Sequence, residues 1–370
     1  MSKLLLDSLE IKGYRCFEHL TIEKLGRVNL IVGKNNVGKT ALLEALWIYA
    51  ERAQSVILSE LLSDREERPA VINIENGNLK GQILDIRYLF YGRPEIQKIE
   101  KPVQIGSNIK SEKKQITISV EWHRTEGEAL GIIQSKDLDS LSLNLSHPHI
   151  VVKINGQRKS AEKLEDALSF PKVYFHFLEP YTILCQFVKT NGLDPDTLAK
   201  SWDDIALTDI EGRVIEALHL IAPDVEKISF ISNEIKRAKR VPFVRLKSSV
   251  EPVPLRSLGE GMNRLLGIAL ALVNCKNGMF FIDEIESGLH YSVLPDVWKL
   301  IFKTAKDLNV QVFATTHSYD CIDAFAQAAI KDKESDGMLI RLARKADQIK
   351  AFTFDEKQLE TITKEKIEVR

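Results

Sequence analysis

Along the first part of the chain, apolar positions come in short bursts between polar turns. LLLDSLEIKG, HLTIEKLG and RVNLIVG, punctuated by Gly13 and Gly26, read as strands, and the third is a buried strand that runs into a glycine loop. After Lys39 the period changes. In ALLEALWIYAERA, Leu42, Leu43, Leu46, Ile48 and Tyr49 recur at helical spacing. From about Gly81 to Lys159 the pattern is β-rich again: QILDIRYLFYG, QITISVEWHR and HIVVKING predict an antiparallel sheet inserted behind the loop. Val173 to Pro180 (VYFHFLEP) reads as one more strand, Thr197 to Leu220 as helical, and EKISFISNEIKRAKRVPFVRLKSS as a hairpin with a basic tip. The last third alternates. A helix from about Gly261 to Val273, strand MFFID, helix VLPDVWKLIFKTAKDL, strand VQVFATTH, a further helix and strand MLIRLA predict a parallel sheet with crossover helices. The Lys- and Glu-rich last ten or so residues read as a frayed tail.

Composition narrows the class without choosing a function. A 370-residue chain that is 44% hydrophobic and 28% charged is that of an ordinary folded protein. The net charge of -1 argues against a globally basic surface that wraps nucleic acid. Cys16, Cys185, Cys275 and Cys321 lie far apart with no C-x-x-C pair, which argues against a zinc site and a disulfide framework. The N-terminal apolar run, broken by Asp7 and Glu10, is too short for a signal peptide, and no segment approaches the roughly 20 apolar residues of a spanning helix. A cytoplasmic protein with no membrane contact is expected.

The chemistry concentrates in a few stretches. Gly33, Lys34, Asn35, Asn36, Val37, Gly38, Lys39 and Thr40 match G-x-x-x-x-G-K-[ST] between a strand and a helix. Its glycines let the backbone curl so that amides and a helix N-terminus face an anion, Lys39 reaches the outer phosphates, and the Thr40 hydroxyl serves Mg²⁺. The ligand is therefore a nucleoside triphosphate. Met279 to Ile282 is an apolar strand that ends in Asp283, placed to hold magnesium, and Glu284, placed to polarise a water; adjacent acids at a strand end also occur as helix-cap pairs, but the glycine loop upstream favours the catalytic reading. Ser257-Leu258-Gly259-Glu260-Gly261 opens a helix and is either a second anion site or a glycine-rich cap. Thr315-Thr316-His317-Ser318 ends the next strand, where His317 can donate to a γ-phosphate or simply be a satisfied polar residue.

In this order and spacing, these residues resemble the ATP-binding cassette (ABC) ATPase heads of the RecF, SMC and OLD group. SLGEG matches that group's signature loop, with Ser257, Gly259 and Gly261 as nucleotide contacts; IDE matches the Walker B motif, SGLH the D-loop and TTHS the switch-histidine loop. Gly13 to Phe17 resembles the N-terminal segment whose arginine lies near the nucleotide, making Arg15 a further candidate. The resemblance implies a mostly parallel P-loop NTPase sheet with an antiparallel β-subdomain and a short helical insertion. It also implies a single head over 1–370, with an N-terminal lobe at 1–175, the insertion at 178–225 and a C-terminal lobe at 226–345. It implies ATP and Mg²⁺ as ligands, hydrolysis, and a head-to-tail dimer in which one subunit's signature closes over the other's P-loop. Heads of this kind regulate DNA transactions or a separately encoded effector such as a Toprim-like nuclease, in settings that include anti-phage defence.

Departures from the pattern shape the expectation. No Q-loop glutamine is assigned, because Gln186 reads as helical. Leu258 stands where transporter heads carry glycine, which disfavours a transporter, and the lack of N-K-x-D disfavours a GTPase. Asp137-x-Asp139 and Asp194-x-Asp196 sit in polar loops, so no nuclease is expected within the chain. Lys236, Arg237, Lys239, Arg240, Arg245 and Lys247 read as a contact to a phosphate backbone or an acidic partner, or as a solvated tip. His147-x-His149 lacks a third ligand at metal spacing. The alternative to a working ATPase is a scaffold or sensor that ATP stabilises and hydrolyses slowly.

Overall fold

Val28–Val32, Met279–Ile282 and Gln311–Thr315 are buried at every position. Such strands belong in a parallel sheet covered on both faces. The computed structural model, which describes residues 3–67, 74–75, 78–79, 84–108, 114–126, 129–133, 146–168, 182–233, 239–331 and 336–365, places them at the centre of a six-stranded sheet. Its order is Cys185–Val188, Met279–Ile282, Gln311–Thr315, Val28–Val32, Gly337–Lys345 and Gln348–Phe354. The first five run parallel, and the last closes the edge as an antiparallel hairpin. Strands from both ends of the chain thus interleave.

Because side chains alternate across a strand, each central strand feeds two cores. Leu30, Phe280, Ile282, Val312 and Ala314 face the helices Glu260–Val273, Leu294–Asp307 and Tyr319–Lys331. Ile31, Met279, Phe281 and Phe313 face the helices Lys39–Ala50 and Ser55–Asp64 and the antiparallel sheet beyond them. Leu294–Asp307 buries Leu294, Val297, Trp298, Ile301 and Phe302 along one stripe. Lys39–Ala50 is buried nearly all round, as a helix sandwiched between two sheets must be.

The antiparallel sheet has seven strands in the order Gln157–Lys163, Ser146–Ile154, Gln115–Glu126, Val103–Gly106, Leu9–Tyr14, Phe17–Ile22, with Ala129–Ile133 pairing on Gln115–Glu126. The N-terminal strands therefore join the sheet that the pattern placed after the loop. Two readings are corrected. QILDIRYLFYG forms a short 3₁₀ turn at Ile86–Leu89 in place of a strand. Asp85 accepts the Arg87 amide at 3.1 Å and clamps the Arg87 guanidinium, and these local bonds outcompete a ladder. Gln186 lies in a strand, not a helix, because Cys185–Val188 pairs in parallel with Met279–Ile282. Of the last ten or so residues expected to fray, 361–365 end the helix Glu356–Glu365, whose Leu359 is buried, and 366–370 lie outside the described residues. The Val173 to Pro180 reading lies outside the described residues. No helix among the described residues is long and apolar enough to cross a membrane.

One buried side chain ties the N-terminus to the centre. Gln311 accepts the Leu6 amide at 3.0 Å and donates to the Leu6 carbonyl at 2.6 Å and the Gly26 carbonyl at 3.0 Å. Gln311→Leu would leave those buried groups unpaired, at about 3 kcal/mol. An unfolding free energy lowered by that amount, read from the shift in the chemical-denaturation midpoint at unchanged slope, is the expected result.

Candidate functional site

The strand Val28–Val32 hands over to a loop that tolerates no side chain at two positions. Gly33 has φ 147°, and an added Cβ would lie 2.4 Å from the Leu342 carbonyl oxygen. Gly38 has φ 89°, and its Cβ would meet Cys16 Sγ at 2.6 Å and Phe17 at 2.7 Å. Asn36, between them, is also left-handed at φ 61°. Gly38 caps the helix Lys39–Ala50 without any side-chain bond, so the first-turn amides remain available to an anion. Lys39 Nζ donates to the carbonyls of Gly33 at 2.8 Å and Lys34 at 3.2 Å, holding the hoop shut from inside. Burial lowers the Lys39 pKa, while Asp283, Glu284 and Glu286 pull it back up.

The acids arrive from the neighbouring strand ends. Asp283 accepts the Thr40 hydroxyl at 3.0 Å, the Thr315 hydroxyl at 2.5 Å and, more loosely, Thr190 at 3.4 Å. A hydroxyl and a carboxylate in contact, both hard oxygen donors, form a set that fits Mg²⁺. Glu284 sits at φ 47°, its amide donating to Thr315 Oγ1 at 2.9 Å and its carboxylate 3.7 Å from His317 Nε2. His317 Nδ1 is in turn 3.4 Å from Lys39 Nζ. Glu286 accepts the amides of His317 at 2.9 Å and Ser318 at 3.1 Å, tying the two strand-end loops together.

Asn35, Asn36, Gly38, Lys39, Thr40, Glu284, Glu286 and His317 line one cavity of about 760 Å³, with Asp283 behind Thr40 at hydrogen-bond distance. Its far wall holds Arg15, Arg65, Glu67, Tyr88 and Arg93. Arg15 is largely spent within the protein: it pairs with Glu44 at 2.8 Å and Glu67 at 2.6 Å, and only Nη2 lacks a partner. Burial opposes its charge, but Tyr14, Glu44 and Glu67 raise its pKa above the ordinary arginine value. Tyr88 and Arg93, which sequence reasoning passed over, stack with the guanidinium 4.7 Å from the ring centroid.

Other candidates lie apart from this cavity. Ser257 and Gly259 are exposed, and with Gly261 they do not line it. Gly261 instead abuts the loop after the acids, where its added Cβ would lie 2.9 Å from the Gly288 carbonyl. Asp194 caps the helix Pro195–Asp203. Of the basic tip, residues 234–238 lie outside the described set, as do Asp137 and Asp139; Lys239, Arg240 and Arg245 pair with Asp196, Asp203 and Glu226. His149 stacks on His123 at 4.3 Å, and no cluster of three or more His, Cys, Asp or Glu side chains that could hold a metal ion occurs among the described residues. Sequence reasoning gave Thr315 and Glu286 no role of their own within their motifs and missed Thr190 and Arg264. For Arg264 a signal existed: a lone cation in the apolar run MNRLLGIALALV.

Comparison with known proteins places this geometry in context. Residues 28–323 match the family described as "AAA domain, putative AbiEii toxin, Type IV TA system". An "ATP/GTP phosphatase" of Helicobacter pylori is 24% identical over 368 residues, covering 89% of this chain and 90% of that protein. An uncharacterized protein of Methanocaldococcus jannaschii is 38% identical over 92 residues, 25% of this chain and 80% of that one. The crystal structure of an Smc head bound to the C-winged helix domain of ScpA has the same fold, with a TM-score of 0.52 at 14% identity over 95% of this chain and 99% of that one.

The glycine geometry is directly testable. Gly38→Ala places a methyl group where Cys16 and Phe17 stand and forces a left-handed alanine, so nucleotide affinity should fall by about tenfold or more. Titration with a fluorescent ATP analogue measures it.

Proposed function

The chain belongs to the AAA-domain family matched over residues 28–323, and from that premise we propose that it is a magnesium-dependent ABC-type ATPase whose two copies close head to tail around ATP. The observation that carries the reading is the convergence of Lys39, Thr40, Asp283, Glu284 and His317 through the contacts of Asp283 and His317. The Helicobacter pylori relative, named for ATP and GTP hydrolysis and covered over nearly its whole length, supports the enzyme class.

In the proposed reaction the Gly33 to Thr40 loop binds the triphosphate tail, and Lys39 gives up its loop carbonyls for phosphate oxygens. Thr40 and Asp283 would hold magnesium, which neutralises charge on the β- and γ-phosphate oxygens. Glu284 takes the proton of the attacking water, and His317 donates toward the γ-phosphate. Ser257, Gly259 and Gly261 are exposed or peripheral to their own cavity, so they serve the cavity of a second copy related by a two-fold axis. Loss of the γ-phosphate then loosens the pair. The chain acts in the cytoplasm as a single head, with lobes at 1–175 and 226–345 flanking the insertion at 178–225. Its closure regulates DNA transactions or a separately encoded, Toprim-like effector nuclease in anti-phage defence, a role that the family's toxin–antitoxin description favours.

The test is the solution mass of Glu284→Gln with and without ATP and Mg²⁺. A shift from monomer to dimer that Ser257→Arg abolishes is the expected outcome. An unchanged mass already equal to a larger assembly, together with function retained in Glu284→Gln, would favour an ATP-stabilised scaffold instead.

A further inference from the structure

The helix Glu260–Val273 buries one cation, Arg264, among Met262, Leu265, Leu266 and Ile268. A buried guanidinium is costly unless its donors are met. Here the acceptors are backbone carbonyls. Nη1 donates to Lys189 at 2.7 Å and Thr190 at 3.4 Å, and Nη2 to Asp283 at 2.7 Å and Glu284 at 2.9 Å, while Nε has no partner. Those carbonyls leave two adjacent parallel strands, Cys185–Val188 and Met279–Ile282, just where each enters the site.

The bond to Glu284 has a specific consequence. A non-glycine residue at φ 47° sits in a sparsely populated region and persists there only when its surroundings hold it. Glu284 is held from both sides: Thr315 Oγ1 takes its amide, and Arg264 shares its carbonyl with the Ser287 amide, which donates at 2.9 Å. Losing the Arg264 bond would leave the carbonyl to Ser287 alone and loosen the turn that sets the carboxylate 3.7 Å from His317.

We propose that Arg264 is a positioning residue that fixes the Glu284 turn and joins it mechanically to the start of the signature helix. Gly261, one turn earlier, abuts Gly288 on the loop following Glu284, so a push on Ser257 to Gly261 reaches the same backbone through two contacts. When a second copy's phosphate engages that segment, the signal arrives at the subunit's own Glu284. This last step rests on the head-to-tail reading; the positioning role does not.

Arg264→Lys and Arg264→Ala test it, the lysine keeping the charge should the alanine fail to fold. In nucleotide-free protein, hydrogen exchange should quicken by about tenfold at the amides of 189–191 and 283–286 while Gln311–Thr315 stays protected. ATP affinity should stay within about threefold, because Arg264 does not line the cavity, while kcat falls by about a hundredfold, as for a displaced general base. Arg264→Lys should recover part of kcat. Wild-type kcat in Arg264→Ala, or faster exchange throughout the central sheet with parallel loss of affinity, would overturn the proposal. Local exchange and kcat changes in a protein whose rate per subunit is independent of concentration would sustain Arg264 and sink the dimer.

Discussion

The Asp283 carboxylate is the contact on which the site depends. It accepts hydroxyls from Thr40 on the loop helix, Thr315 on the next strand and Thr190 after the edge strand. Segments about 275 residues apart in sequence, Thr40 and Thr315, meet there, and the meeting is possible only because Val28–Val32 and Gln311–Thr315 are neighbours in one parallel sheet. In such sheets the carboxyl ends of the strands face one crevice, where ligands bind. The two apolar cores serve this end by fixing the register that puts Asp283 one residue beyond Ile282 and opposite Thr315.

A second constraint acts behind the loop. Glu44 is buried on the helix that Lys39 starts, and burial raises its pKa even though Arg15 and Arg65 oppose the shift. Pairing makes that burial tolerable: Arg15 reaches Glu44 and Glu67, Arg65 takes the other Glu44 oxygen at 2.8 Å, and the Tyr14 hydroxyl donates to Glu44 at 3.3 Å. Breaking one member of such a cluster leaves an uncompensated charge, whereas the intact cluster adds little net stability. Its contribution is geometric. It locks the left-handed turn at Arg15 against the helix and thereby places Cys16 and Phe17 against Gly38.

What could be read from the sequence follows the range of the forces involved. The strand, loop and helix around Gly33 to Thr40 are local, so their residue types announce them, as do the apolar strand before Asp283 and the alternation of the last third. Gln186 was misread because CQFV is too short to show a period; its strand identity comes from pairing with Met279–Ile282. Gln82 to Gly92 was misread because Asp85 and Arg87 satisfy each other and the backbone locally. The acceptors of Arg264 are carbonyls, which carry no residue identity, so only its isolation in an apolar helix hinted at a task.

The same distinction bears on how ATP energy would be used. Within one chain the cavity already gathers Lys39, Thr40, Glu284 and His317, yet the segment at 257–261, with Ser257 and Gly259 exposed, does not line it. A site complete in one chain would hydrolyse ATP without consequence for any partner. A site that needs a second surface converts binding into assembly and hydrolysis into release. Glu284 is held in an unfavourable turn by Thr315 and by a cation on the helix that starts at that segment. The proposed link from the exposed segment to Glu284 would therefore run through packed groups, the kind of physical connection that coupling between sites requires.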